Sequence, residues 1–123
     1  MPDGELLRSA IRFSGNSIAG VIVVSIQLSL AQEIAANILG EEPGDETAVN
    51  QANDAFGEIL NILCGQFLTT VEGPEPVFDL SVPLVGTASK DDWMRIYNRP
   101  TSISLMVDDI YAVLVDLDVK LMG

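Results

Sequence analysis

The sequence predicts an α+β domain, a largely antiparallel sheet carrying two consecutive helices. Three observations lead there. Side chains alternate along Ser17 to Gln27, apolar residues then recur at helical spacing through two stretches parted by strong breakers, and alternation returns over the last third of the chain. Strands gathered on either side of a helix pair describe this architecture better than strands alternating with helices. The chain has 123 residues, 48% of them hydrophobic, which is enough for one compact core and too little for two. Residues 1–123 are therefore read as a single domain.

The elements follow in order. A strand around Ser9 to Phe13 joins the Ser17 to Gln27 strand through Ser14-Gly15-Asn16, a turn of suitable composition, to make a hairpin. On the second strand Ile18, Ile22, Val24 and Ile26 share one face, while Val21 and Val23 imply that the other face is partly covered too. Ser29 and Gln32 have capping-box spacing, followed by the apolar set Leu30, Ile34, Ile38 and Leu39, with Gly40 just past the end. Glu41 to Asp45 form a polar turn, and Thr47 is placed to cap a long second helix reaching about Glu72, where Gly73-Pro74 stops it. Phe78, Leu80 and Val82 alternate, as do Ile103, Leu105 and Val107, and then Tyr111 through Leu121, with Asp108-Asp109 as a tight turn between the last two strands. Lys90 to Pro100, with Trp93, Ile96 and Tyr97, fits either a short strand or a loop packed on the core.

Charge narrows the function. Eighteen acidic against six basic residues give a net charge of −12, which argues against nucleic acid and anionic membranes as partners. Lys and Arg occur only at Arg8, Arg12, Lys90, Arg95, Arg99 and Lys120, so residues 13–89 are purely acidic and suit a positively charged protein partner. There is no histidine and one cysteine, Cys64. Imidazole-based triads and bases, histidine zinc sites and paired-cysteine sites are excluded, and no metal site is predicted. The opening Met-Pro-Asp-Gly-Glu lacks the character of a signal peptide, and the longest apolar run, Ile18 to Val24, is far short of a membrane span. A cytoplasmic protein with a reduced thiol is expected.

The long helix carries the most information. Val49, Ala52, Phe56, Ile59, Leu60, Leu63 and Phe67 fall on one broad side, the predicted core side. Asp54, Glu58, Asn61 and Gly65 fall within a stripe about 60° wide opposite it, taking about 100° per residue. Asparagine is a poor helix former and an interior glycine costs on the order of 1 kcal/mol against alanine, so two such residues on one stripe ask for a reason. Solvated acids, a tolerated asparagine and a glycine that lets another element pack closely would account for it. So would an amide and a carboxylate presented outward, with Gly65 keeping the next turn flat for a partner. A cation site or acid–base pair at Asp54 and Glu58 is less persuasive, because the helix supplies no third ligand and no dry pocket.

The segment Asp54-Ala-Phe-Gly-Glu58-Ile-Leu-Asn61 resembles the Asp/Ser-x3-Glu-x2-Asn signature of the CheC/CheX/FliY family of bacterial chemotaxis phosphatases. The surroundings are similar as well. The signature lies on a long helix, Gly65 follows it, Pro83 and Gly86 come some twenty residues later, and residues 13–25 resemble the family's glycine-containing strand pair. The resemblance covers about residues 8–120. One copy of the signature is similar to the single-site CheX type, since the first helix offers only Glu33 and Asn37 at the wrong spacing.

What the resemblance implies is a phosphatase acting on the aspartyl phosphate of a CheY-like response-regulator receiver. Mg²⁺ is expected on the receiver, and no cofactor on this chain. Asn61 would position the attacking water, because an amide carbonyl accepts from water while its NH2 donates to a phosphoryl oxygen. Glu58 would pair with the receiver's active-site lysine, and Asp54 and Gly65 would mark the contact surface. Neither a hydroxyl nor Cys64 is needed as nucleophile. A homodimer is expected, as CheX-type proteins form, with sheet edges as one way of joining. The alternatives are a non-catalytic CheX-like module that binds a receiver or motor-type partner through the same stripe, and a dimerising structural unit whose stripe is solvent.

Overall fold

The computed structural model describes residues 2–40, 46–73 and 79–121. Strands β1 (Leu6–Ser14) and β2 (Ile18–Gln27) form the expected hairpin, from Leu6 opposite Gln27 to Ser14 opposite Ala19. Alternation along both strands sends Leu7, Ile11, Phe13, Ile18, Ile22, Val24 and Ile26 to one buried face. Gly20 is obligatory within β2, because a Cβ there would lie 2.2 Å from the Asp118 carbonyl oxygen and 2.9 Å from the Phe13 ring.

The first helix corrects one expectation. β2 runs straight into α1 (Leu28–Leu39), whose N-cap is Gln27 with no side-chain cap, so Ser29 lies inside the helix and builds no capping box. The junction is held by a non-local bond, Leu28 N–H to the Glu5 carbonyl at 2.8 Å. Gln27 is used elsewhere: its amide donates to the Asp3 carbonyl at 3.2 Å and accepts from Ala112 N–H at 2.9 Å. At the other end Gly40 adopts φ 70° and donates to the Ala36 carbonyl, the expected glycine stop. The apolar face of α1 also differs from the expected set. Leu30, Ala31, Ala35 and Ala36 are buried, whereas Ile38 is 65% exposed, because the alanines allow a close approach to the neighbouring helix.

That neighbour is α2 (Glu46–Glu72). Gly73, at φ 107°, ends it by donating to the Thr69 carbonyl at 3.0 Å. The expected turn at Glu41 to Asp45, the side chains of Thr47 and Val49, Pro74 and Phe78 lie outside the described residues.

The sheet order is β3–β1–β2–β6–β5, with β4 also on β1, and every pairing is antiparallel. β3 (Asp79–Leu80) and β4 (Leu84–Ala88) lie end to end along β1. The continuous alternation expected through Val82 is thus broken. Leu80 pairs with Phe13 but Leu84 with Ala10, so one extra residue bulges out around Val82-Pro83. There Ser81 takes over the ladder, donating its N–H to Arg12 and accepting Arg12 N–H on its hydroxyl.

Residues 90–97 are neither strand nor loop but a third helix, α3 (Lys90–Tyr97). A full capping box starts it: Ser89 Oγ accepts from Asp92 N–H at 3.0 Å, and the Asp92 carboxylate accepts from Ser89 N–H at 3.1 Å. The Ser89 N–H bond, with the Ser89 hydroxyl beside it, holds the Asp92 carboxyl below its ordinary pKa. Strands β5 (Ser102–Val107) and β6 (Tyr111–Leu121) form the C-terminal hairpin, turned by Asp108 and Asp109 at φ 54° and 56°.

The helices α1 and α2 cover one sheet face, where Phe56, Leu60, Cys64 and Leu68 meet the buried residues of β1 and β2 and half-buried Val113, Val115 and Leu117 of β6. On the other face α3 covers one end, with Trp93 buried against Leu6 and Leu114. Arg99, just past α3, ion-pairs with buried Asp116 at 3.0 Å and with Asp118 at 3.6 Å; Asp116 also accepts the Thr101 hydroxyl.

Candidate functional site

The site is built on α2, and its geometry follows from which side of that helix is buried. Ala52, Phe56, Leu60, Cys64 and Leu68 are each 3% exposed or less. Their four-residue spacing makes one continuous ridge along the helix. This ridge is rotated slightly from the expected core side: Ile59 and Phe67 are half-buried, Leu63 is largely exposed, and Cys64 and Leu68 take the central places. Burial pushes the Cys64 thiol up to about 11, which leaves it protonated and a poor nucleophile at neutral pH.

Beyond the edge of the ridge, Asp54 and Glu58 are exposed, while Asn61 and Gly65 are half-buried. Asn61 sits nearer the margin because the neighbouring turn is packed. Gly57, one turn before it, is buried, and a Cβ there would touch Val85 at 3.6 Å and Pro83 at 3.7 Å. Gly65 is different. Among the described residues nothing lies within 4 Å of the place a Cβ would take, so no packing among them requires a glycine there.

Among the described residues, neither Asp54, Glu58 nor Asn61 makes a side-chain hydrogen bond or ion pair. A carboxylate and an amide three positions apart, both turned toward solvent on a rigid helix, can together accept from a cation and bind a water with its neighbouring acceptor. On α1, Glu33 has another use: it accepts the hydroxyl of Tyr111 on β6, a bond that raises the tyrosine pKa. Among the described residues no group of three or more cysteine, aspartate or glutamate side chains is placed to hold a metal. No described helix is long and apolar enough to cross a membrane.

Sequence periodicity missed what flanks the stripe. Between α1 and α2 runs a trough of about 260 Å³, bordered by Asp54 and Glu58 on one bank and by Ile38 on the other. Ile38 had every mark of a core position; only the run of alanines at positions 31, 35 and 36 signals that α1 turns another face inward.

No curated protein matches the chain. Among solved structures, a chain of the CheX–CheY–BeF3–Mg²⁺ complex from Borrelia burgdorferi superposes with a TM-score of 0.68 at 21% identity, covering 93% of this chain and 75% of that one. Chemotaxis protein CheX from Vibrio vulnificus gives 0.64 at 19% identity, over 93% and 74%. Thermotoga maritima FliY gives 0.55 at 20%, over 98% and 60%. At these identities the likeness carries the α+β fold. Residues 8–94, which include both helices and the whole signature, match the family described as chemotaxis phosphatase CheX, and the chain belongs to that family.

Proposed function

We propose that this protein is a single CheX-like domain that hydrolyses the aspartyl phosphate of a CheY-like response-regulator receiver. The observation that carries the reading is the pairing of Glu58 and Asn61 on the outer stripe of α2, neither of them engaged among the described residues, inside a family described as chemotaxis phosphatases. The B. burgdorferi neighbour, a CheX–CheY complex, supports a receiver as partner.

The division of labour follows from the residue types. Glu58 pairs with the receiver's active-site lysine and fixes the pose. Asn61 then holds a water in line with the phosphorus through its carbonyl, its NH2 meeting a phosphoryl oxygen. Asp54 and Gly65 border the contact, Gly65 by keeping the turn beyond Asn61 free of any side chain. The receiver brings its own Mg²⁺, and this chain supplies position and charge.

The protein works in the cytoplasm as a homodimer. Support for the dimer lies at β5, an edge strand whose Ile103 and Leu105 are 61% and 52% exposed beside a wholly apolar groove of about 200 Å³ lined in part by Ile34, Leu63 and Val107. A monomer in light scattering at micromolar concentration would count against it.

The test of function is the decay of a receiver's aspartyl phosphate, labelled from a small phosphodonor. Wild type accelerates decay, and Asn61→Ala and Glu58→Lys do not. Absence of acceleration, with binding that Glu58→Lys removes, would make the domain a binding module.

A further inference from the structure

Two exposed isoleucines bracket Glu58. Ile38, on α1, is 65% exposed and forms one bank of the trough whose other bank is Asp54 and Glu58, with Ala35 and Ala55 at its base. Ile62 lies one helical turn beyond Glu58 and is 54% exposed. A single exposed aliphatic residue is ordinary. Two of them around one carboxylate make a surface that is apolar at its sides and anionic in the middle.

The chemistry of that surface selects its occupant. Neither carboxylate has a cation in reach among the described residues, and no lysine or arginine occurs between residues 13 and 89, so the charge is left for something outside the chain. The complement of an anionic centre with aliphatic walls is a lysine: an ammonium for the carboxylate and a four-carbon stem for the walls. A metal ion would use the charge and leave the walls wet, and an arginine brings a shorter stem and a broad planar head in place of a compact ammonium.

We infer that Ile38, assisted by Ile62, is the apolar seat for the stem of the receiver lysine that Glu58 pairs with, and so sets affinity for the receiver without touching the attacking water. The inference rests on the phosphatase reading above and assigns partner selection to α1, an element outside the signature. Ile38 reaches the partner, not the phosphorus, so its removal alters KM and leaves kcat in place, the opposite of Asn61.

The experiment measures KM and kcat with a phosphorylated CheY-type receiver, and Kd with the same receiver loaded with BeF3⁻ and Mg²⁺, for wild type, Ile38→Ser, Ile38→Val, Ile62→Ser and Asn61→Ala. Ile38→Ser raises KM and Kd about tenfold with kcat unchanged, Ile62→Ser acts in the same direction but less, and Ile38→Val behaves as wild type. Because both isoleucines are exposed, their melting temperatures stay at the wild-type value, and a lowered one in either variant leaves the other to decide. An active wild type whose KM and Kd are indifferent to both serine variants overturns the inference and spares the phosphatase reading. A wild type that binds the loaded receiver without hydrolysis overturns the phosphatase reading, and the Kd series still decides this one. A wild type that binds no receiver overturns both.

Discussion

The two sides of α2 differ in what a side chain there is for. On the inner side Ala52, Phe56, Leu60, Cys64 and Leu68 form an unbroken buried ridge, and each is fixed by its neighbours in the core. On the outer side, among the described residues, Asp54, Glu58 and Asn61 have no side-chain hydrogen bond or ion pair, and Gly65 has no neighbour that a Cβ would meet. A residue whose identity the fold does not demand, at a cost in helix propensity, points to a demand from outside the fold. On the proposed function one helix carries stability on one side and activity on the other, and substitutions on the two sides are expected to have opposite signatures.

Four measurements put that difference to the test. Leu60→Ala, in the centre of the ridge, is expected to cost about 2–5 kcal/mol in urea unfolding, because the core around it cannot close completely. A cost below 1 kcal/mol would mean the ridge is not what holds α2 down. Asn61→Ala should slow receiver dephosphorylation by roughly 100-fold, about 2.7 kcal/mol in the barrier, with the melting temperature unmoved. If it unfolds the protein instead, the outer side is structural after all. Gly65→Ala combines both signatures: it stabilises α2 by up to about 1 kcal/mol in thermal melting, while the added methyl lowers affinity for the receiver. A stabilised variant with unchanged affinity would remove Gly65 from the contact surface. The smallest effect concerns Cys64. Its folded-state thiol ionises at about 11, above the ordinary 9.0, so the unfolded chain loses its proton first as pH rises. Stability contributed by the neutral thiol is complete below the ordinary value and declines between it and 11. Urea midpoints across that range should fall less steeply for Cys64→Ala.

The sequence was most readable where structure is local. Periodicity located the β1–β2 hairpin, the long signature helix and the Asp108-Asp109 turn, since each is written in neighbouring residues. The errors came where a distant partner decides. Ser29 and Ser89 begin the same kind of motif, yet only Ser89 caps a helix. At Ser29 the preceding strand already delivers the chain in place, with Leu28 N–H held by Glu5, so no local cap is called on. At Ser89 the chain leaves β4 and must turn, and the box makes the turn. Ile38 was misplaced for the same reason, because the alanines that replace it in the core are chosen by the neighbouring helix. The stripe itself was legible from spacing alone; its apolar flank was not, since that flank belongs to another element.

The central pairing of the sheet has a consequence for how the protein comes into being. Ile26 pairs with Val113 and Ile18 with Leu121, so the whole of α1, α2, β3, β4, α3 and β5 is looped out between partners. Closing so long a loop is entropically expensive and is repaid only when the last strand docks. During synthesis the signature helix therefore emerges well before the strand that completes the floor beneath it. The Phe56, Leu60 and Leu68 ridge finds its main cover, the β1–β2 hairpin, already made when α2 emerges, so the helix layer can dock on half a sheet and wait there for β6 to close the other half.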